Sequence, residues 1–116
     1  MFKNDEIRLR HILDASREAI IFAERRSRED LDRDRMFNLS LVRLLEVIGE
    51  AARGISEEYR SAHPEIAWRN MAGMRDRLIH GYFDINLDVV WQTVSEDLPL
   101  LVGQIEKVLS SSPTTS

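Results

Sequence analysis

Apolar residues recur along this chain at intervals of three and four, the period of a helix with one buried face, and no stretch alternates as a strand would. Leu9, Ile12, Leu13, Ala19, Ile20 and Ala23 form one stripe, which predicts a first helix over roughly 5–25, with Asn4 as its N-cap and Asp5 and Glu6 in the first turn. The clearest stripe is Phe37, Leu41, Leu44, Leu45, Ile48, Ala51, Ala52 and Ile55, a second helix that Gly54 stops. Opposite that face, Arg43 with Glu46 and Glu50 with Arg53 stand three positions apart as pairs of opposite charge, each worth a few tenths of a kcal/mol. Gly49, next to Ala51 and Ala52, offers a thin point where another helix or chain can come close.

The remaining elements follow from punctuation as much as from period. Arg25 to Arg35 is almost wholly charged and is expected to be a solvated connection with one helical turn begun by Ser27. Ser56 to Ala62 reads as a short capped helix that Pro64 ends. A third helix is expected over roughly 66–80, ended by Gly81, and a fourth from Asn86 and Asp88 through Leu109, kinked at Pro99. The expected fold is all-α: an antiparallel four-helix bundle with an additional short helix, one domain over 1–110, and a polar tail over 111–116.

Composition narrows the function classes. A chain of 116 residues with 43% hydrophobic and 31% charged residues has the makings of one folded core. The absence of cysteine excludes thiolate metal sites, iron–sulfur clusters and cysteine nucleophiles, and fits a cytoplasmic protein. The longest apolar run, Ala19 to Ala23, is far short of the roughly 20 residues that span a bilayer, and the charged start lacks a signal core, so no membrane partner and no export are expected. A net charge of −4 argues against sequence-blind coating of nucleic acid. Locally the sign reverses, because Trp68 to His80 carries Arg69, Arg75 and Arg77 against the single acid Asp76.

That segment holds the candidate chemistry. On a continuous helix Trp68, Met71, Ala72, Leu78 and Ile79 lie within about 60° of Arg75, so the arginine projects from the apolar stripe. A guanidinium costs several kcal/mol to bury alone, so Arg75 must meet a carboxylate, carbonyl groups, a subunit boundary or a cleft that receives an anion. Asp76 and His80, four apart, share one side of the helix, where the carboxylate can orient and charge-stabilise an imidazole suited to proton exchange. The same histidine would also serve as a cap that compensates the helix dipole. Arg69 falls on that side as well, and Tyr82, just past Gly81, can pack its ring or present its hydroxyl. No compact set of metal ligands shares a helical face, and His11 and His63 stand apart from this segment in sequence, so neither metal nor cofactor is expected.

Arg75, His80 and Tyr82 together reproduce the R-x-x-x-x-H-x-Y signature, and here the chain resembles the HepT-like toxins of the HEPN superfamily of helical ribonucleases. Ile48-Gly49-Glu50-Ala51-Ala52, the Pro64 to Trp68 turn, Gly73-Met74 and Tyr82-Phe83-Asp84 to Trp91 are similar to that family in order and spacing, over roughly 5–109. The resemblance implies a homodimer whose two third helices face each other across an RNA-cleaving cleft, without a metal. Arg75, His80 and Asp76 would be its catalytic residues, and Arg69 and Arg77 would add RNA-binding charge. It also implies a cognate nucleotidyltransferase antitoxin that transfers AMP to Tyr82. Two other functions fit the same residues: a non-catalytic nucleotide- or substrate-binding subunit of the nucleotidyltransferase, and a purely structural dimerisation module.

Overall fold

The computed structural model describes residues 3–78 and 85–111, the side chain of Ser111 excepted. Within them the chain is helical, and no β-strand forms among the described residues. In order, the helices are α1 (Lys3–Ala23), α2 (Asp30–Arg33), α3 (Arg35–Arg53), α4 (Glu57–Ala62), α5 (Trp68–Ala72), α6 (Met74–Leu78), α7 (Leu87–Gln92) and α8 (Leu98–Ser111). A π-helical stretch, Thr93–Asp97, joins α7 to α8. No helix of the described residues is long and apolar enough to cross a membrane.

The long helices pack through the stripes that the sequence marks. Leu9, Ile12 and Ala19 of α1, Leu41, Leu45, Ile48 and Ala52 of α3, and Leu98 and Ile105 of α8 are all sealed from solvent. Removing a leucine-sized side chain from such a site costs about 2–5 kcal/mol, so these residues hold the frame on which the rest is arranged. α1 lies along α3 over most of its length, α8 packs on α1, and α5 crosses α3.

The charged connection is more structured than a solvated link. Arg26 donates to Asp34 at 2.8 Å and to Asp30 at 3.3 Å, and its guanidinium lies 4.1 Å from the centre of the Phe37 ring. The Ser27 N–H donates to the Asp30 carboxylate, and Asp34 caps α3 by accepting from the Phe37 N–H. Asp30 is held below its ordinary carboxylate range chiefly by the Ser27 N–H, and Asp34 chiefly by Arg26. Leu31, sealed beneath this corner, is the one apolar residue of the run and the reason α2 folds inward. Arg28 reaches Asp88 at 2.7 Å and so fastens the corner to the start of α7.

Two local expectations are corrected. Asn4 lies inside α1, not at its cap. Asp5 stands in the first turn as expected, and its carboxylate is also buried: it is 2% exposed and accepts from the Ser56 N–H and Oγ at 2.8 and 2.6 Å. Ser56 in turn caps α4. The expected interruption of the fourth helix near Pro99 takes the form of a widened turn just before it. The Leu98 N–H bonds back to the Thr93 carbonyl, five residues earlier, and Gln92 and Leu98 keep right-handed helical backbone angles. The third helix is two short helices, because Gly73 (φ −88°, ψ 7°) leaves helical geometry between α5 and α6.

The short helix α4 packs its own aromatic cluster. Tyr59 stacks at 4.4 Å on His63 and edge-on at 6.0 Å to Trp68, whose indole N–H donates to the His63 carbonyl. Burial, reinforced by the charges of Asp5 and Glu65, pushes the Tyr59 phenol up to about 12. Tyr59 therefore stays a neutral packing group at physiological pH. Its hydroxyl is buried and unpartnered among the described residues, which removes it as an acid–base group or a modification target.

Candidate nucleic-acid interface

Gly49 positions the site. A Cβ at this residue would stand 3.0 Å from the Met71 carbonyl oxygen and 3.4 Å from the Met74 Cβ, so α5 and α6 sit on α3 at a distance that only glycine permits without displacement. Met74 fills that space and is 3% exposed. The buried face of α5 and α6 thus runs Trp68, Met71, Met74, Leu78, and Arg75 is turned to its exposed flank. The expectation that Arg75 projects from the middle of the apolar stripe is corrected accordingly: Met74, not Arg75, occupies that place. Of the partners left open for this guanidinium, an internal carboxylate is not the one used, since no ion pair joins Arg75 to a carboxylate among the described residues.

Arg75 lines a cleft of about 280 Å³ that it shares with Arg43, Glu46, Glu50 and Arg53 of α3, floored by Gly49 and Ala72. Charge is unevenly distributed in it. Arg43 stands between both acids, 3.7 Å from Glu46 and 3.8 Å from Glu50. The expected Glu50 with Arg53 pair does not form. Arg53 instead donates its Nε–H to the Ala72 carbonyl at 2.8 Å, because the C-terminal end of α5 offers a free carbonyl to it. Two guanidinium groups, on different helices, therefore face one cleft without a carboxylate partner among the described residues.

The other candidates are dispersed. Arg69 borders an open groove of about 550 Å³ with Arg60 and Trp68, and Arg77 borders a hollow of about 240 Å³ with Met71, Thr93 and Asp97. Along this chain Arg69, Arg75 and Arg77 line three separate hollows, so Arg69 does not share the cleft of Arg75. Asp76 is exposed on α6. His80 and Tyr82 lie outside the described residues, and so does the expected contact between Asp76 and His80. His11 is exposed on α1, while His63 is taken up by the Tyr59 cluster and approaches Glu65 at 3.5 Å. Among the described residues, no three His, Asp or Glu side chains come together as a metal-ligating group.

Arg43 pairs with Glu46 as the spacing predicts, whereas Arg53 escaped the sequence reading because it looked paired along its own helix. A signal was present: Arg53 stands four residues after Gly49, one turn further on the side where the thin point admits another helix.

Comparison with known proteins places the chain in a family. The family model for HepT-like proteins, described as ribonuclease HepT-like, matches residues 12–108. The chain is 48% identical over 80 residues to the "Probable ribonuclease HepT" of Thermococcus cleftensis, spanning 69% of this chain and 73% of that one. It is 38% identical over 101 residues to a "Putative RNase" of Caldanaerobacter subterraneus subsp. tengcongensis, spanning 87% and 90%. A Methanocaldococcus jannaschii protein named "Gamma-glutamylcyclotransferase and putative RNase" is 31% identical over 109 residues, which are 94% of this chain and 49% of that protein. No solved structure is significantly similar to the chain.

Proposed function

Since the chain belongs to the HepT-like ribonuclease family, we propose that it cleaves RNA without a metal, as the toxin of a toxin–antitoxin pair, at a cleft completed by a second copy of itself. The observation that carries the proposal is the pair of uncompensated guanidinium groups in one cleft, one of them Arg75, the first residue of the signature. A polyanion is the natural occupant of such a site.

RNA brings its own nucleophile. The 2′-hydroxyl loses its proton to an imidazole and attacks phosphorus, the P–O5′ bond breaks, and the departing 5′-oxygen is protonated. Two copies of His80 across a symmetric cleft divide these proton transfers, one as base and one as acid. Arg75 bonds the non-bridging oxygens as charge builds on them, an interaction worth most where donors are fixed before the reaction. Asp76, four residues from His80, orients the ring, and Arg69 and Arg77 bind flanking RNA. Since none of these steps calls for a Lewis acid, the unmodified protein is expected to cut RNA in excess chelator. Activity that needs an added divalent ion, or cutting of DNA and RNA alike, contradicts the proposal.

The outer face of α3 supports the homodimer. Met36, Leu39, Arg43, Glu46, Glu50 and Arg53 fall at alternating spacings of three and four, one stripe, exposed except at the half-buried Glu46, that ends in the Arg75 cleft. Met36 is 79% and Leu39 50% exposed, which leaves an apolar end to be covered by an equivalent surface, and the mixed charges of Arg43, Glu46 and Glu50 beyond it can pair with their own two-fold copies.

Tyr82 is the proposed target of the antitoxin. Its hydroxyl attacks the α-phosphorus of ATP and loses its proton, pyrophosphate leaves, and the appended AMP adds negative charge and bulk that oppose the binding of RNA phosphate. Tyr82→Phe is expected to remain toxic and to gain no AMP mass when produced with a nucleotidyltransferase partner. Loss of toxicity with unaltered neutralisation contradicts this role. A non-catalytic nucleotide-binding subunit would use the same arginines and show no turnover in the chelator assay.

A further inference from the structure

We propose that Arg53 is a second anion-binding residue of this cleft and seats a phosphate of the RNA adjoining the one at Arg75. Its identity as an RNA phosphate rests on the ribonuclease proposal; its capacity for an anion rests on the cleft alone.

Arg53 is fixed before any ligand arrives. Its Nε–H is held by the Ala72 carbonyl at 2.8 Å, which uses one of the five N–H donors and leaves the terminal nitrogens to an incoming oxyanion. A side chain already ordered loses less freedom on binding, so its contact counts for more. The position of its partner is equally fixed, because Ala72 is set by the close passage of α5 over Gly49. Arg53 on α3 and Arg75 on α6 thus stand at a separation set by packing and not by sequence.

Charge completes the argument. The cleft holds three guanidinium groups and two carboxylates, and both carboxylates are engaged by Arg43. Glu50 lies 3.8 Å from Arg43 and forms no ion pair with Arg53, so Arg53 and Arg75 are the two guanidinium groups of the cleft that face a ligand without a carboxylate partner among the described residues. Had Arg53 paired with Glu50, one cation, Arg75, would be left without a carboxylate partner in the cleft. The arrangement found presents two, the pattern that a phosphodiester chain with one charge per residue requires.

The test is binding of a short single-stranded RNA carrying one 2′-deoxynucleotide at the cleavage position, followed by fluorescence anisotropy across a salt series. Unmodified wild-type protein, Arg53→Met, Glu50→Gln and Arg10→Met are compared, Arg10 being an exposed arginine paired with Glu6 on α1. Arg53→Met is expected to weaken binding about tenfold or more and to flatten the salt dependence by about 0.7 in slope. Inorganic phosphate should compete for the wild type and compete less well for the variant. Glu50→Gln, which leaves the Arg53 contact with Ala72 intact, should tighten binding severalfold. Affinity and slope of Arg53→Met equal to those of Arg10→Met overturn the proposal, as does unchanged binding by Glu50→Gln. A lower melting temperature of Arg53→Met with unaltered binding assigns Arg53 to capping α5 alone and likewise overturns it. RNA cleavage by the wild type with no effect of Arg53→Met rejects only this inference. Phosphate binding that depends on Arg53, in a protein that cuts no RNA, rejects the ribonuclease proposal and leaves the anion site standing.

Discussion

Arg75→Ala is expected to lower the single-turnover rate of RNA cleavage by roughly 10²–10³-fold, the usual loss when a fixed donor to a developing oxyanion is removed. The melting temperature should scarcely move, because an exposed side chain with no carboxylate partner contributes little to folding. Arg75→Lys should recover only part of the rate, since an ammonium keeps the charge but loses the planar fork that grips two oxygens. His80→Ala should cost about 10²–10⁴-fold by removing proton transfer. A structural role for Arg75 predicts the reverse pattern: falling stability for Arg75→Ala, a gain for Arg75→Met, and cleavage unaffected by either.

The second large effect concerns stability. Asp5→Ala is expected to destabilise the fold by about 3 kcal/mol, because it removes an acceptor that serves both the Ser56 N–H and its hydroxyl in a site closed to water. In a domain of this size that lowers the melting temperature by roughly 10 °C. Ser56→Ala should cost less, about 1 kcal/mol, since the backbone N–H still reaches Asp5 and only the hydroxyl and its cap to Tyr59 are lost. Cleavage by the folded fraction should be unchanged in both variants. Thermal unfolding followed by circular dichroism checks the order, and an Asp5→Ala protein that melts with the wild type would show that the latch between α1 and α4 carries no stability.

What the sequence made legible was whatever depends on near neighbours. The α3 stripe, the stop at Gly54, the Ser56 cap and the Asn86 cap of α7 all rest on residues within a turn or two of one another, and they stand where the pattern puts them. The burial of Asp5 was not legible because its partner is 51 residues away, and in isolation a carboxylate in a first turn shows only its local role. Met74 was left out of the buried face because its place is made by a missing side chain on another helix, Gly49. Pro99 marks where the fourth helix is interrupted, but the form of that interruption, a widened turn over the preceding five residues, is not written in the proline alone. The site shows the same division. Arg75, Asp76 and Tyr82 are marked by a spacing along one segment, whereas the cleft, and Arg53 in it, exists only where α3 and α5 meet.

The central claim is that the substrate's own 2′-oxygen does the cutting, with a guanidinium and an imidazole in attendance. Mass analysis of the ends left on a defined RNA cut by unmodified protein tests it most directly. A 2′,3′-cyclic phosphate on one fragment and a 5′-hydroxyl on the other is the predicted result; a 3′-hydroxyl opposite a 5′-phosphate would mean that water was the nucleophile and would contradict the account.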